Sequence, residues 1–418
     1  MILLAIDLVM RAGASLRSAA ATLALLAQHG YGSADTPCAS TIRLWLIRIG
    51  CARLNRPLPN AGPWVWLVDH TLQIGTQKLL VIVGCPLASV PFGQRSLTFG
   101  DLELVAVVPM EKSTAALVDT EFKKAAERTG IPGQIISDEG SDLRGGIQLF
   151  QQGHNSIRDV MDVAHAVANI LKHSWDKDPR WQQFTQHMHQ TSASIRQTKA
   201  AHLLAPKLRN KARYMTVAKY IRFARMLLRH LRSKQPQLEV LKHYEWVLEF
   251  EMEIRVWEEQ YAAVQVVLRQ VRLEGLFSRS LAMIEEEWKA LLLSESASTQ
   301  MVLHRLREYI VRHTATLKPG ERLVGSTEIL ESVFGVQKRM SGDQVESGLT
   351  RLVLMLGLIV GTHTAETVKE DLESVPEKQT EGWAKRMLGK TVQWLRRQFF
   401  KTTKNEAESE NEGEPNLG

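Results

Sequence analysis

Val65-Trp66-Leu67-Val68-Asp69-His70-Thr71 is an apolar run, rich in β-branched and aromatic residues, that ends in a carboxylate. Such a run reads as a buried strand. Burying the carboxylate of Asp69 is costly unless a metal or a partner receives it. One strand of this kind decides little, because many buried strands end in Asp. The chain offers a second one, Gln134 to Ser137, stopping at Asp138, and much later a helix that carries further acids.

Outward from that stretch, residues 64–163 alternate strand and helix. Trp64 to His70, Lys78 to Cys85 and Leu102 to Pro109 are three strands with no helix between them, which implies an antiparallel meander. Ser113 or Thr114 caps a helix running to Arg128, and Gly130-Ile131-Pro132-Gly133 ends it. The strand to Asp138 follows, then a helix opened by Ser141 or Asp142, then a fifth strand from Ile157 to Asp162. Residues 1–56 read as three helices with Gly-containing breaks, the third from Thr41 to Ile49 and stopped by Gly50. With Arg43 and Arg48 on it, that is the outline of a helix-turn-helix domain. Residues 57–63 are a Pro-containing linker. Residues 164–323 are almost wholly helical in pattern, and Ser347 to Gly361 reads as an apolar core helix.

Composition narrows the class. A chain of 418 residues is long enough for two or three domains, and 44% hydrophobic content is that of an ordinary globular protein. The net charge of +7 leans towards a polyanionic partner. Three scattered cysteines, Cys38, Cys51 and Cys85, suit a reducing compartment and argue against a disulfide framework or a zinc site. The apolar opening is interrupted by Asp7 and lacks a basic region before it, so no signal peptide is expected. Leu352 to Val360 is roughly half the length a membrane span needs. No membrane partner is expected.

The order β-β-β-α-β-α-β with acids closing the first and fourth strands resembles a DDE transposase of a bacterial insertion sequence. That resemblance implies an α/β ribonuclease H-like core with a large all-α insertion, behind an N-terminal helical domain of helix-turn-helix type. The domains would be 1–56 (DNA-binding), 64–169 (core, first part), 170–322 (basic helical insertion), 323–365 (core, second part, with the catalytic helix) and 366–402 (a C-terminal helix). Residues 403–418 hold five Glu against one Lys, with hardly an apolar residue, and are expected to be disordered. The chain opens abruptly in a helical pattern, so an end-binding domain found in relatives is expected to be missing.

Phosphodiester chemistry of this kind uses two divalent ions, about 3.5–4 Å apart, on hard carboxylate oxygens. The resemblance assigns Asp69, Asp138 and a helical Glu to a pair of Mg²⁺ (or Mn²⁺) ions. Two glutamates compete for the third place. Glu328 falls just after the Ser326 cap, where the helix dipole alone favours an acid. Glu331 lies one turn in, with Gly335 and Lys338 on its face. In DDE transposases a basic residue commonly follows the catalytic Glu by two turns and contacts the DNA end. The carry-over therefore favours Glu331 as metal ligand and Lys338 as DNA contact. Among the rivals of Asp138, Asp142 is better read as a helix-start residue and Glu139 as facing away. Asp162-Val163-Ala164-His165 resembles the C/D-x-x-H element of hAT-type transposases at the head of their helical insertion. It assigns His165 to DNA or the active site, with Asp162 either positioning it or serving as an auxiliary acid.

From Arg196 to Lys234 there are twelve Lys and Arg and no Asp or Glu. Lys219, Arg222, Arg225, Arg229 and Arg232 recur at helical spacing, a face suited to phosphates. The acidic helix that follows, from Glu239 to Glu259, is the competing partner. The scattered Trp175, Trp181, Trp246, Trp257 and Trp288 are expected mainly in the core. The expected function is metal-dependent DNA cleavage and strand transfer at insertion-sequence ends. It would be carried out by a cytoplasmic, nucleoid-associated homo-oligomer acting on terminal repeats and target DNA. The alternatives are a catalytically inactive, transposase-derived DNA-binding protein and a structure-specific nuclease on the same fold.

Overall fold

A computed structural model describes residues 1–400 apart from 33, 60, 75–76, 139, 209–213, 215–216, 342–347 and 391–393. The expected tail, 403–418, lies outside the described residues. Three helices open the chain: α1 (Ile2–Met10), α2 (Leu16–Gln28) and α3 (Ala39–Asn55). Then come β1 (Trp64–Ile74), β2 (Gln77–Pro86), β3 (Glu103–Met110), α4 (Ala115–Thr129), β4 (Gln134–Ser137), α5 (Ser141–Gln152) and β5 (Arg158–Met161). A helical stretch follows: α6 (Val163–Trp175), α7 (Pro179–Ile195), α8 (Val217–Leu231), α9 (Leu238–Tyr244), α10 (Glu251–Glu274), α11 (Ser280–Ala290) and α12 (Ala297–Thr314). Two short strands, β6 (Leu276–Phe277) and β7 (Arg322–Leu323), pair within it. The chain then forms α13 (Glu328–Ser341), a short α14 (Leu356–Ile359), α15 (Ala365–Ser374) and α16 (Glu377–Met387). Residues 394–400 are helical. No described helix is long and apolar enough to cross a membrane.

Packing divides the chain into two units. The first holds Met1–Val90, Leu97–Asp159 and the described residues from Thr327 on; the second holds Pro91–Ser96 and Val160–Ser326. In the first, the five-stranded mixed sheet has the order β3-β2-β1-β4-β5. β1, β2 and β3 form the expected antiparallel meander, and β4 runs parallel to β1. That is the order expected of a ribonuclease H-like core. One face is covered by α4 and α5, where Trp66, Phe122 and Phe150 stack with ring centroids 5.7–6.0 Å apart. Trp64, Trp66, Val68 and Ile135 all join this cluster.

The first unit corrects several local expectations. The opening helices do not stand apart as a 1–56 domain: α3 packs against β3, α14 and α15. Nor does α3 stop at Gly50; it runs on to Asn55. Gly50 is instead a point of close backbone approach, where a Cβ would stand 2.0 Å from the Leu354 carbonyl oxygen. A Cβ on Gly357 would meet the Gly50 carbonyl at 2.7 Å. The apolar stretch before Gly361 is not one helix. Thr350 caps a 3₁₀ turn, Arg351–Met355, which passes into α14, while residue 347 lies outside the described residues.

In the second unit, α10 packs against α6, α8, α11 and α12. Trp175, Trp181, Trp257 and Trp288 are buried there and Trp246 is half-buried, so the tryptophans serve the core as expected. The long segment of this unit, Val160–Ser326, begins and ends at one place: the Val163 N–H donates to the Gly325 carbonyl (2.9 Å). Nearby in the chain, the Tyr309 hydroxyl donates to the Met161 carbonyl (2.9 Å).

Candidate functional site

The sheet places the first two acids. Leu67 on β1 stands beside Ile136 on β4, and two residues further each strand reaches an acid, Asp69 and Asp138. Parallel neighbours lie about 4.8 Å apart, and this register, extended past the end of β4 at Ser137, runs from Asp69 to Asp138. Alternation also gives them one face. Trp66 and Ile135 turn towards α4 and α5, so Leu67 and Ile136, and with them Asp69 and Asp138, turn the other way. Both acids are half-buried. The Asp69 carboxylate accepts the His70 N–H at 2.6 Å, and Asp138 accepts the Gly140 N–H at 3.0 Å.

Asp69 does not close its strand, as the sequence led us to expect. β1 continues to Ile74 because β2 goes on pairing with it, opposite Val81 at Asp69 and Leu79 at Thr71. Only the parallel partner β4 stops, at Ser137, which leaves the Asp69 level open on that side. Glu139 lies outside the described residues.

On the opposite face of the same sheet end is a polar network that the sequence pattern did not reveal. His70 alternates away from Asp69, and its Nε2 lies 3.1 Å from Ser113 Oγ. Its Nδ1 lies 3.6 Å from Asp142, whose carboxylate also accepts the Lys78 ammonium at 2.8 Å. Burial pushes the Asp142 carboxyl up, but hydrogen bonds from Lys78 and Ser113 and the charges of His70 and Lys78 outweigh it and hold it down at about 2. Burial pushes His70 below its ordinary value, with Asp142 opposing. Asp142 is therefore more than the helix-start residue its position advertised. A His directly after a strand acid, and an acid in the first turn of α5, were the available signal.

The third acid is not with the first two. α13 packs against β1 and turns Leu330, Val333, Phe334 and Gln337 inward. Glu331, Gly335 and Lys338 share an exposed face, and a Cβ on Gly335 would meet open space. Glu328 is half-buried in the first turn. Among the described residues, no three His, Cys, Asp or Glu side chains lie together in a way that could hold a metal ion. Asp69 and Asp138 offer a pair of carboxylates; as placed, Glu331 does not complete a three-carboxylate centre.

The remaining assignments divide by packing. Asp162, 1% exposed, caps α6: its Oδ1 accepts the His165 N–H (2.8 Å) and lies 3.0 Å from the ring Nδ1. The positioning bond between Asp162 and His165 is thus formed, and the His165 ring is 30% exposed. Arg43 is exposed on α3. Arg48 is not available to a ligand in the same way, because its guanidinium donates to the Val375 carbonyl (2.7 Å) and to that of Leu372, at the end of α15. On α8 the apolar stripe Val217, Tyr220, Ile221, Ala224, Leu228 and Leu231 faces inward, and all five basic residues are exposed. Two of them meet the acidic helix. Arg225 pairs with Glu258, and Arg232 Nε donates to Glu251 at 2.9 Å. Lys219, Arg222 and Arg229 are exposed away from the apolar stripe.

No family model matches the chain, and no curated protein does. Among solved structures it is similar to the Drosophila P element transposase strand transfer complex, at a TM-score of 0.42 and 12% identity, over 88% of this chain and 92% of that chain.

Proposed function

We propose that this chain is a transposase-like DNA-processing protein that cleaves and joins strands at the ends of a mobile element. The observation that supports the reading is the register of β1 and β4, in which Leu67 stands beside Ile136, two residues before Asp69 and Asp138, in a sheet with the order β3-β2-β1-β4-β5. We assign the reaction's acids to Asp69, Asp138 and, from α13, Glu331. Mg²⁺ or Mn²⁺ is the proposed cofactor. Lys338 and His165 are assigned to the DNA end, and Lys219, Arg222 and Arg229 to phosphates along the duplex. The proposed working form is a homo-oligomer that bridges two ends. The test is cleavage and joining of DNA carrying the inverted repeats that flank the gene. Asp69→Asn and Asp138→Asn should each abolish both steps while the protein still melts cooperatively; full activity in either variant would refute the assignment.

A second reading, DNA binding without catalysis, is favoured by one observation: Glu331 stands exposed and no three-donor cluster forms among the described residues. Calorimetry with Mn²⁺, with and without end DNA, separates the two. Uptake that disappears in Asp69→Asn supports the enzyme. No uptake in either condition, together with tight and inert DNA binding, supports the second reading.

A further inference from the structure

Among the described residues, the β1–β4 pairing ends with Leu67 opposite Ile136, two residues before each acid, and β4 stops at Ser137. Side chains span the two strands' continuations from there. His70 follows Asp69 directly, and Asp142 lies four residues after Asp138, in the first turn of α5. Ser113, just before α4, bridges them: its Oγ lies 3.1 Å from His70 Nε2, and it also hydrogen-bonds the Asp142 carboxylate. Lys78 on β2 donates to the same carboxylate at 2.8 Å. One cluster thus ties β1, β2 and the heads of α4 and α5 together.

Two further facts couple this cluster to the acids. Asp138 and Asp142 flank one turn: a Cβ on Gly140 would stand 3.4 Å from Oδ1 of each. The amides beside the cluster are bonded to the acids themselves, His70 N–H to Asp69 at 2.6 Å and Gly140 N–H to Asp138 at 3.0 Å. The His70 and Asp142 side chains are only 11% and 13% exposed, so water competes little for these bonds. Hydrogen-bonded networks shielded in that way rigidify the elements they join. The cluster is not a nucleophilic triad. His70 Nδ1 stands 3.6 Å from Asp142, beyond hydrogen-bond reach, and the Asp142 charge is given to Lys78.

We propose that His70, Lys78, Ser113 and Asp142 are positioning residues that hold the Asp69 and Asp138 carboxylates in place before a ligand arrives. The use of those acids on metal ions rests on the DNA-processing reading; the positioning itself does not. The full-length protein is read in two ways: hydrogen exchange at the His70 and Gly140 amides without metal, and Mn²⁺ calorimetry with end DNA. Ser113→Ala and Lys78→Met should each speed exchange at those two amides about tenfold or more, while the amides of Val65 to Leu67 keep their protection. Both variants should bind Mn²⁺ about tenfold more weakly, as losses of partners behind metal ligands do. Lys78→Arg, which keeps the charge, should recover most of both effects. Gly50→Ala, overpacked on α3, is the destabilised control and should leave both amides and the affinity as in the wild type. Cooperative melts establish folding, and Lys78→Met combined with Asp142→Asn removes the charge pair together where Lys78→Met alone does not fold. Wild-type exchange at both amides in the folded variants would overturn the proposal, as would wild-type Mn²⁺ affinity in them or equal acceleration in Gly50→Ala. Faster exchange at the two amides in a protein whose wild type takes up no Mn²⁺ would uphold the positioning and remove the metal reading.

Discussion

On α3, Arg53 is 2% exposed and gives its guanidinium to Asp371 (3.0 Å) and to the carbonyls of Val360 and Thr362, while Arg48 is taken up by the end of α15. On α8, Lys219, Arg222 and Arg229 stand in solvent on the face opposite the apolar stripe. Both helices carry basic residues at helical spacing, and both were expected to meet DNA. The difference lies in how their apolar residues are arranged. On α8 these fall on one stripe and leave a free face. On α3, Ile42, Leu46, Ile47, Ile49, Cys51 and Ala52 lie round more of the helix, so its later arginines are carried into the core and must find partners there. Arginine spacing alone does not mark a nucleic-acid surface; arginines set against a narrow apolar stripe come closer to doing so.

The comparison is broken most sharply at Arg53. Arg53→Ala strands Asp371 and should cost about 3–5 kcal/mol, read from urea unfolding. A loss under about 1 kcal/mol would show that α3 does not depend on its buried charge. Gly50→Ala tests the same helix without touching charge: its Cβ meets the Leu354 oxygen at 2.0 Å, and about 1–3 kcal/mol of overpacking is expected in the same assay.

Acid should find two histidines, His313 buried and His363 half-buried. Burial pushes His363 and His313 each down to about 4, with the charges of Arg53 and Arg312 adding to the shift. The unfolded chain then binds protons that the folded chain refuses, so stability is whole above pH 7 and falls as pH drops from 6.5 towards 4. After solvent screening we expect about 1–2 kcal/mol from each. Unfolding midpoints measured across that window should flatten in His363→Gln and His313→Gln; an unchanged slope in both would contradict the burial argument.

The smallest effects on stability belong to α8. Replacing Lys219, Arg222 and Arg229 with Ala together should leave melting unchanged and lower the salt slope of DNA binding by about 0.9 for each phosphate no longer neutralised. Arg225→Ala and Arg232→Ala should lower that slope less, and each should cost about 0.2–1 kcal/mol of folding. If all five behaved alike, the division between paired and displayed arginines would fall.

Short-range signals made much of the first unit readable. Apolar runs and turn residues marked the three-strand meander, and the run into Asp138 marked β4. The two strand acids were visible for the same reason: a carboxylate at the end of an apolar run is a local pattern. Features set by distant partners were not visible. β1 goes past Asp69 because β2 is still beside it. α3 goes through Gly50 because the backbone at Leu354, some three hundred residues later, needs that glycine. The polar network was hidden because Lys78, Ser113 and Asp142 reach His70 from three different elements. Spacing to Lys338 favours Glu331 over Glu328. Yet spacing fixes only which residues share a helix face; the rotation of that face towards the sheet depends on the packing of Leu330, Val333, Phe334 and Gln337.

The bond from Val163 to Gly325 has a consequence for how the chain is put together. Some 160 residues depart and come back within the reach of one amide, as a detour does that rejoins the road where it left. A stretch attached in that way imposes no separation on the strands and helices it interrupts, whatever its length. It could be exchanged for a longer or shorter block, or for a few glycines, with its two anchor points already side by side.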